Sequence, residues 1–224
     1  MNCLFNRRQQ LWLTAIVSGM TVTTLMPTAV AHASDTQSPT ESPSSDAISS
    51  PSDHAMGSQI KKHEHGPAVT GRVQTLTTDT APEGIDVSSY DGDVDWPAKV
   101  SSGMSFAWVK ATEGTSYQNP FFTSQYNGSQ SAGLIRGAYH FALPSNSSGK
   151  DQATYFSDHG GGWPGDGYTL PGTVDLEYNP YGTNACYGLN QTAMASWIRD
   201  FVSTYRNRWG RPPMIYTSTS WWNM

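Results

Sequence analysis

The 224-residue sequence carries 13 Lys and Arg against 18 Asp and Glu, a formal net charge of −5 at pH 7. This acidic balance argues against nucleic acid as a partner, because the chain offers no basic stripe that could neutralise a phosphate backbone. We therefore expect a protein that does not bind nucleic acid.

The first 33 residues have the pattern of an export signal. Arg7 and Arg8 precede an apolar run over residues 11–25, and Ala31-His32-Ala33 has the small residues of a signal-peptidase site. Ser and Thr interrupt the run, which makes it thin for a permanent membrane span. An uncleaved anchor is the alternative, and the paired arginines also allow a twin-arginine signal. We expect cleavage, an extracellular protein and no stable membrane association afterwards.

Cleavage after residue 33 would change both the charge and the cysteine content. It would remove two arginines, leaving 11 basic against 18 acidic residues and a net charge of −7. It would also remove Cys3, so that Cys186 becomes the one remaining cysteine. A lone cysteine in an oxidising compartment suggests a missing partner.

Residues 34–80 are predicted to be a disordered linker. They are rich in Ser, Thr, Pro and Asp and have few large apolar side chains, so they cannot bury enough surface to offset the entropy of ordering. His54, His63 and His65 lie in this stretch, and a metal site would need a rigid frame that the linker lacks. We expect a solvated tether and no metal site.

From residue 84 onwards, strand and helix patterns alternate. Apolar runs predict five strands, at residues 84–87, 105–110, 134–141, 172–177 and 213–217. Between them lie four predicted helices, at residues 96–102, 120–132, 149–159 and 190–208. This alternation favours an α/β fold with a parallel sheet, either an open doubly wound sheet or a barrel.

The length of this region is short for a complete barrel. About 140 residues follow residue 84, whereas an eight-stranded β/α barrel takes about 250. We therefore expect an incomplete barrel of about five strands, with two open sheet edges and an unfilled interior. This predicts that the 224-residue product folds poorly or is inactive.

Polar residues lie at the end of every predicted strand. They are Asp86; Lys110 and Glu113; Tyr139 and His140; Asp175 and Glu177; and Tyr216 and Thr217. In β/α folds the ligand site lies at the carboxyl ends of the strands, so these groups should converge on one mouth. The pattern therefore predicts a shared active site.

Asp175 and Glu177 are the strongest candidates for chemistry. Residues two apart in a strand face the same side, so both carboxylates should point into the same space. Their repulsion would raise one pKa, which is what a general acid requires at neutral pH. The alternative is an ordinary solvated strand end near a Lys or Arg.

Aromatic residues near the strand ends suggest a sugar as the ligand. Tyr139, Trp163, Tyr178, Tyr181 and Tyr187 could stack on pyranose rings, although some of them could simply cover the core under long loops. No G-x-G-x-x-G, P-loop or G-x-S-x-G motif competes with this interpretation.

Four motifs resemble, in order and spacing, the family 25 glycoside hydrolases, the Ch-type lysozymes. They are GIDVS (84–88), KATEG (110–114), RGAYHF (136–141) and DLE (175–177), and YT (216–217) and WWN (221–223) continue the likeness. The resemblance covers residues 84–224. It identifies residues 81–224 as the N-terminal part of a catalytic domain with an irregular TIM-like β/α barrel.

The resemblance implies an N-acetylmuramidase that hydrolyses the β-1,4 bond between N-acetylmuramic acid and N-acetylglucosamine in peptidoglycan. Glu177 maps onto the general acid, Asp175 onto the second carboxylate and Asp86 onto a supporting acid. Either Asp175 orients the acetamido group of the substrate for attack, which we favour, or a carboxylate activates water directly. The expected substrate-binding residues are Lys110, Glu113, Tyr139, His140, Tyr178 and Tyr216. We expect a monomer without a cofactor.

The chain also departs from the family pattern. The last three strands of the family, a late aspartate and a W-Q-Y-type segment would lie beyond residue 224. Family members of this secreted group carry a cysteine just after the WWN run, which pairs with the equivalent of Cys186. A non-catalytic peptidoglycan-binding protein, an inactive fragment, or a glycosidase for another polysaccharide therefore remain alternatives.

Overall fold

The structure, a computed structural model of the chain, describes residues 54–64 and 81–224. The predicted export signal and most of the predicted linker lie outside these ranges. Within the linker, however, residues 54–64 are ordered and end in helix α1 (Ser58–Glu64). This stretch therefore differs from the expected tether. Polar contacts to the rest of the protein hold it, and it does not depend on a large cluster of apolar side chains.

Six strands form one sheet that is parallel except at one short strand. The strands are β1 (Glu83–Val87), β2 (Met104–Glu113), β3 (Tyr117–Gln118), β4 (Ile135–Phe141), β5 (Thr173–Asp175) and β6 (Met214–Tyr216). The parallel order is β1-β2-β4-β5-β6, and β3 pairs antiparallel with β2. The predicted α/β class and all five predicted strands are confirmed.

Helices connect these strands. They are α2 (Trp96–Ser101), α3 (Phe122–Ser131), α4 (Gly149–Asp158), α5 (Gln191–Trp209) and α6 (Thr219–Trp222), with a short 3-10 helix at Ser89–Asp91. Polar side chains cap several of them: the Asn190 side chain accepts a hydrogen bond from the Ala193 N–H at the start of α5 (2.9 Å). Gly210, with φ of 74°, ends α5 in the left-handed conformation that favours glycine.

The larger part of the core lies between the sheet and helices α4 and α5. Phe156, Phe201 and Tyr205 stack there and are fully buried. The Tyr205 hydroxyl donates to the Gly161 carbonyl (2.8 Å) and accepts from the Gly172 N–H (2.7 Å), so that α5 is held to the start of β5. A smaller cluster packs beside β1 and β2: Val87, Trp96, Ala107, Val109 and Leu134.

Cys186 lies in the larger core cluster and is only 6% exposed. It is disulfide-bonded, and its partner cysteine lies outside the described residues. The expectation of a missing partner refers to the chain after cleavage at residue 33, and it stays a prediction.

Strands β1 and β6 are the edges of the described sheet. Each of them pairs with a single neighbour among the described strands, and all three residues of β6 are exposed. The two open edges expected from the sequence are present in this part of the chain. Within the described residues, no helix is both long enough and apolar enough to span a membrane.

Candidate active site

Asp175 and Glu177 lie together at the carboxyl end of β5. Asp175 is the last residue of that strand and is in register with Phe141 of β4 and Tyr216 of β6. Both carboxylates are fully buried. The parallel sheet therefore brings them to the edge at which the other predicted site residues also end.

The Asp175 carboxyl group is buried with few partners. Apart from Glu177, no described residue hydrogen-bonds to either of its oxygen atoms. Burial, and then the neighbouring charge of Glu177, raise the pKa of Asp175 well above its usual value. Asp175 is therefore held in its neutral, protonated form well above the pH at which an exposed aspartate ionises.

Glu177 is surrounded quite differently. Its carboxylate accepts backbone N–H groups from Gly57, from Gln59 (2.9 Å) and from Ile60 (2.9 Å). Burial raises the pKa of Glu177, and the hydrogen bonds from Asp175 and from these N–H groups oppose that rise because they favour the charged form. The balance is a raised pKa, which suits a group that must carry a proton near neutral pH.

Asp86 and Tyr216 complete the acidic part of the site. Asp86 is exposed at the end of β1, and displacement of water by the surrounding protein raises its pKa to about 6, with smaller contributions from the charges of Asp91 and Glu177. The pKa of Tyr216 is raised to about 12 by burial and then by the charges of Glu177, Asp175 and Asp86. The three carboxyl groups thus lie close enough to Tyr216 to raise the pKa of its hydroxyl group.

A buried ion pair forms a second part of the site. The Lys110 ammonium group lies 2.7 Å from Glu113 Oε2, and both side chains are almost fully buried. Glu113 also accepts hydrogen bonds from the Tyr181 hydroxyl (2.8 Å) and from the His54 ring (2.8 Å). Burial alone would raise the pKa of Glu113, but the His54 hydrogen bond and the Lys110 charge lower it overall.

Tyr139 and Tyr178 present their hydroxyl groups to residues 54–64. Tyr139 accepts the Met56 N–H (3.2 Å), and Tyr178 donates to Glu64 (3.0 Å). The His63 ring stacks on Tyr178 with 4.5 Å between the ring centroids. Both tyrosines therefore belong to the surface on which this segment lies.

His140 does not join the other predicted site residues. Its ring lies between Thr112 Oγ1 (2.8 Å) and Gln152 Oε1 (2.9 Å) and contacts the rings of Phe156 and Phe201. The physical reason is strand alternation: Tyr139 faces the site, so the next side chain faces helices α4 and α5. Burial lowers the pKa of His140 to about 4. His140 is therefore not among the residues that we propose to contact the substrate.

Several residues of the site were not anticipated from the sequence. Residues 54–64 themselves are the main group, and Ser218, whose hydroxyl donates to Glu64, is another. Their composition carried no signal, because polar residues in a Ser- and Pro-rich stretch indicate a linker. Within the described residues, no group of three or more His, Cys, Asp or Glu side chains is arranged to hold a metal ion.

The sequence pattern of the glycosyl hydrolases family 25 matches residues 85–224. Lysozyme M1 of Streptomyces globisporus is 47% identical over 171 residues, which cover 76% of this chain and 55% of that protein. An N,O-diacetylmuramidase of Chalaropsis is 51% identical over 145 residues, which cover 63% of this chain and 68% of that protein. The chain thus spans between about half and two thirds of the length of these curated relatives.

The match to Lysozyme M1 reaches upstream of the residues that match the family pattern. A share of 76% of a 224-residue chain is too long to lie wholly after residue 64. The similarity to that protein therefore extends into residues 54–64.

Solved structures agree with this assignment. The bacterial lysozyme from Streptomyces coelicolor superposes with a TM-score of 0.62 at 52% identity, covering 64% of this chain and 66% of that one. A muramidase from Acremonium alcalophilum gives a TM-score of 0.62 at 50% identity, covering 63% of this chain and 68% of that one. The parallel sheet with its surrounding helices is thus the barrel-like α/β arrangement that the sequence predicted. The chain belongs to glycosyl hydrolase family 25.

Proposed function

We propose that this protein hydrolyses the β-1,4 bond between N-acetylmuramic acid and N-acetylglucosamine in bacterial peptidoglycan. The observation that carries the proposal is the buried pair Asp175 and Glu177 at the strand ends, both with raised pKa values. Relatives of about 50% identity are named as lysozyme and N,O-diacetylmuramidase, which favours this substrate over another polysaccharide.

Glu177 is the proposed general acid. Its raised pKa lets it hold a proton and deliver it to the leaving glycosidic oxygen. Asp175 is the proposed second carboxyl group and Asp86 the supporting acid at the end of β1. We favour a role for Asp175 in orienting the acetamido group of the substrate, in place of direct activation of water. Inversion at the anomeric carbon in the first products would contradict this choice.

The remaining site residues are proposed to bind the glycan. Tyr139, Tyr178 and Tyr216 combine an apolar ring with a hydroxyl group, a combination that suits the faces and hydroxyls of sugar rings. The Lys110–Glu113 pair supplies fixed charge beside them. No resident cofactor is needed for this chemistry.

We propose that the protein acts outside the cell as a monomer. Residues 1–33 would direct export, and residues 34–80 would connect the signal to the catalytic region at residues 81–224.

Release of reducing ends from purified peptidoglycan tests the proposal. The natural chain should release N-acetylmuramic acid reducing ends, identified by mass spectrometry, and Glu177→Gln should lose roughly 10²- to 10⁴-fold of the rate. Glu83→Gln, the same change at an exposed carboxylate in β1, is the matched control and should retain the rate.

Two results would overturn the proposal. One is equal release by the natural chain and Glu177→Gln, which would remove Glu177 from the chemistry. The other is glycan binding without hydrolysis in any variant, which would make the chain a peptidoglycan-binding protein.

A further inference from the structure

Residues 54–64 lie on the groups that the glycan would need. Their contacts include most of the predicted site: Lys110, Glu113, Tyr139, Glu177 and Tyr178. The chain therefore fills its own candidate active site with a segment from upstream of the catalytic region.

The centre of the segment covers the proposed general acid. The N–H groups of Gly57, Gln59 and Ile60, at the start of helix α1, donate to the Glu177 carboxylate, and both of its oxygen atoms accept. A glycosidic oxygen cannot approach the same atoms while these contacts persist. The same hydrogen bonds lower the pKa of Glu177 against the rise caused by burial, and so oppose its holding a proton.

Each end of the segment has its own attachment. At the start, the His54 N–H donates to Glu113 (3.0 Å), and the His54 carbonyl accepts from the Lys110 ammonium group (2.7 Å). At the other end, Glu64 accepts from Tyr178 and from Ser218. The segment is thus fixed on both sides of Glu177.

We propose that residues 54–64 are an intramolecular inhibitor, which must leave the site before a glycan strand can bind. The proposal rests on the proposed function, because the inhibited site is the glycan site. A tethered segment competes at an effective concentration on the order of millimolar, so modest contacts suffice to exclude a substrate. The region aligned with Lysozyme M1 includes part of this segment.

Gly57 is the position at which the segment can be released with a single change. Its φ of +76° disfavours any side chain, and a Cβ atom there would lie 2.8 Å from the Tyr216 hydroxyl oxygen. Gly57→Val should therefore detach the segment without altering residues 81–224. Lys62→Ala, a change at an exposed side chain of the same helix, is the matched control.

The test measures three quantities on the full chain. Amide hydrogen exchange at Gly57, Gln59 and Ile60 reports docking in the natural chain, and exchange at residues 57–60 of Gly57→Val reports release. Hydrolysis of purified peptidoglycan reports activity, and binding of a muramyl oligosaccharide to Asp175→Asn chains, whose contacts between Glu177 and the segment are intact, reports access. Gly57→Val should raise both the rate of hydrolysis and the affinity for the oligosaccharide at least about tenfold. This is the effect expected if docking of the segment loses the equivalent of roughly one hydrogen bond to a charged group. Lys62→Ala should change neither.

A peptide with the sequence of residues 54–64 adds a second comparison. It should inhibit the Gly57→Val chain, whereas the same peptide carrying Val in place of Gly57 should not.

The outcomes separate this inference from the proposed function. Faster oligosaccharide binding after release, without hydrolysis in any variant, would support the inhibitor and reject the muramidase. Release of the segment, seen by exchange, with unchanged binding and unchanged Glu177-dependent hydrolysis would reject the inhibitor and keep the muramidase. Rapid exchange of the three amides in the natural chain would also reject the inhibitor.

Discussion

Asp175 and Glu177 are two residues apart, yet their surroundings differ. Glu177 receives three backbone N–H groups, whereas no described residue other than Glu177 hydrogen-bonds to the Asp175 oxygens. A buried carboxylate without N–H donors is costly, so the pKa of Asp175 rises well above its usual value, whereas the three N–H groups limit the rise in the pKa of Glu177. The docked segment thus opposes the raised pKa that the proposed role of Glu177 as general acid requires.

The burial of Asp175 predicts a stability that depends on pH. Its folded-state pKa lies above the unfolded value near 3.8, so the folded protein binds the proton more tightly. The favourable contribution is complete below about pH 3.8 and is lost as the pH rises through the folded-state pKa. Asp175→Asn should therefore raise the free energy of unfolding at pH 7 by roughly 1–3 kcal/mol.

Denaturant unfolding at pH 7 and pH 3 checks this prediction. The gain should be present at pH 7 and absent at pH 3, where the natural aspartate is protonated as well. Asp93→Asn, at an exposed position, should have no effect at either pH. A destabilised Asp175→Asn chain at pH 7 would mean that the carboxylate is favourably ionised in the folded state.

At the scale of elements, helices α4 and α5 pack directly against each other. Gly149 begins α4, and a Cβ atom at this position would lie 2.2 Å from the Trp197 carbonyl oxygen and 2.7 Å from the Phe201 nitrogen. These are backbone atoms inside α5, which cannot move aside as a flexible side chain could. The lack of a side chain at residue 149 therefore sets the distance between the two helices.

Gly149→Ala should destabilise the protein by about 1–3 kcal/mol, the usual cost of overpacking a close contact. The next residue offers the control: Lys150→Ala is an exposed change in the same turn and should stay within about 0.5 kcal/mol of the natural chain. Thermal unfolding of the two variants side by side measures the difference. Equal midpoints would show that α4 can shift away from α5 without cost.

The regular elements were largely predictable from the sequence, since their apolar periodicities match the burial that the structure shows. Helix α5 is the clearest case, because Met194, Trp197, Ile198, Phe201 and Tyr205 recur at helical spacing and are the buried residues of that helix. Strand β3 and helix α6 are too short, at two and four residues, to carry a period. The position of the site was predictable because polar residues mark the carboxyl ends of the predicted strands.

His140 and residues 54–64 mark where that reasoning stops. Polar residues at a strand end can face either side, and only the pairing register decides that Tyr139 faces the site while His140 faces the helices. For residues 54–64, composition predicts solvent exposure because apolar burial is absent. The structure orders them by backbone hydrogen bonds to buried charges, and sequence periodicity carries no record of such contacts.

At the scale of the whole described fold, the candidate active site at the carboxyl ends of the strands is covered by a segment of the same chain. The parallel strands collect the carboxyl groups at one end, and residues 54–64 cross that end between the Lys110–Glu113 pair and Tyr178. Activity would then depend on the position of the segment as well as on the carboxyl groups. The three proposed acids, Glu177, Asp175 and Asp86, are thus all in place, while the Glu177 carboxylate is covered by residues 57–60.

The most direct test combines the two central residues in one measurement, the rate of peptidoglycan hydrolysis by Gly57→Val and by the Gly57→Val/Glu177→Gln double variant. We expect the single variant to hydrolyse faster than the natural chain and the double variant to lose roughly 10²- to 10⁴-fold of that rate. Hydrolysis by the double variant at the rate of the single variant would contradict the assignment of Glu177 as the acid that the segment covers.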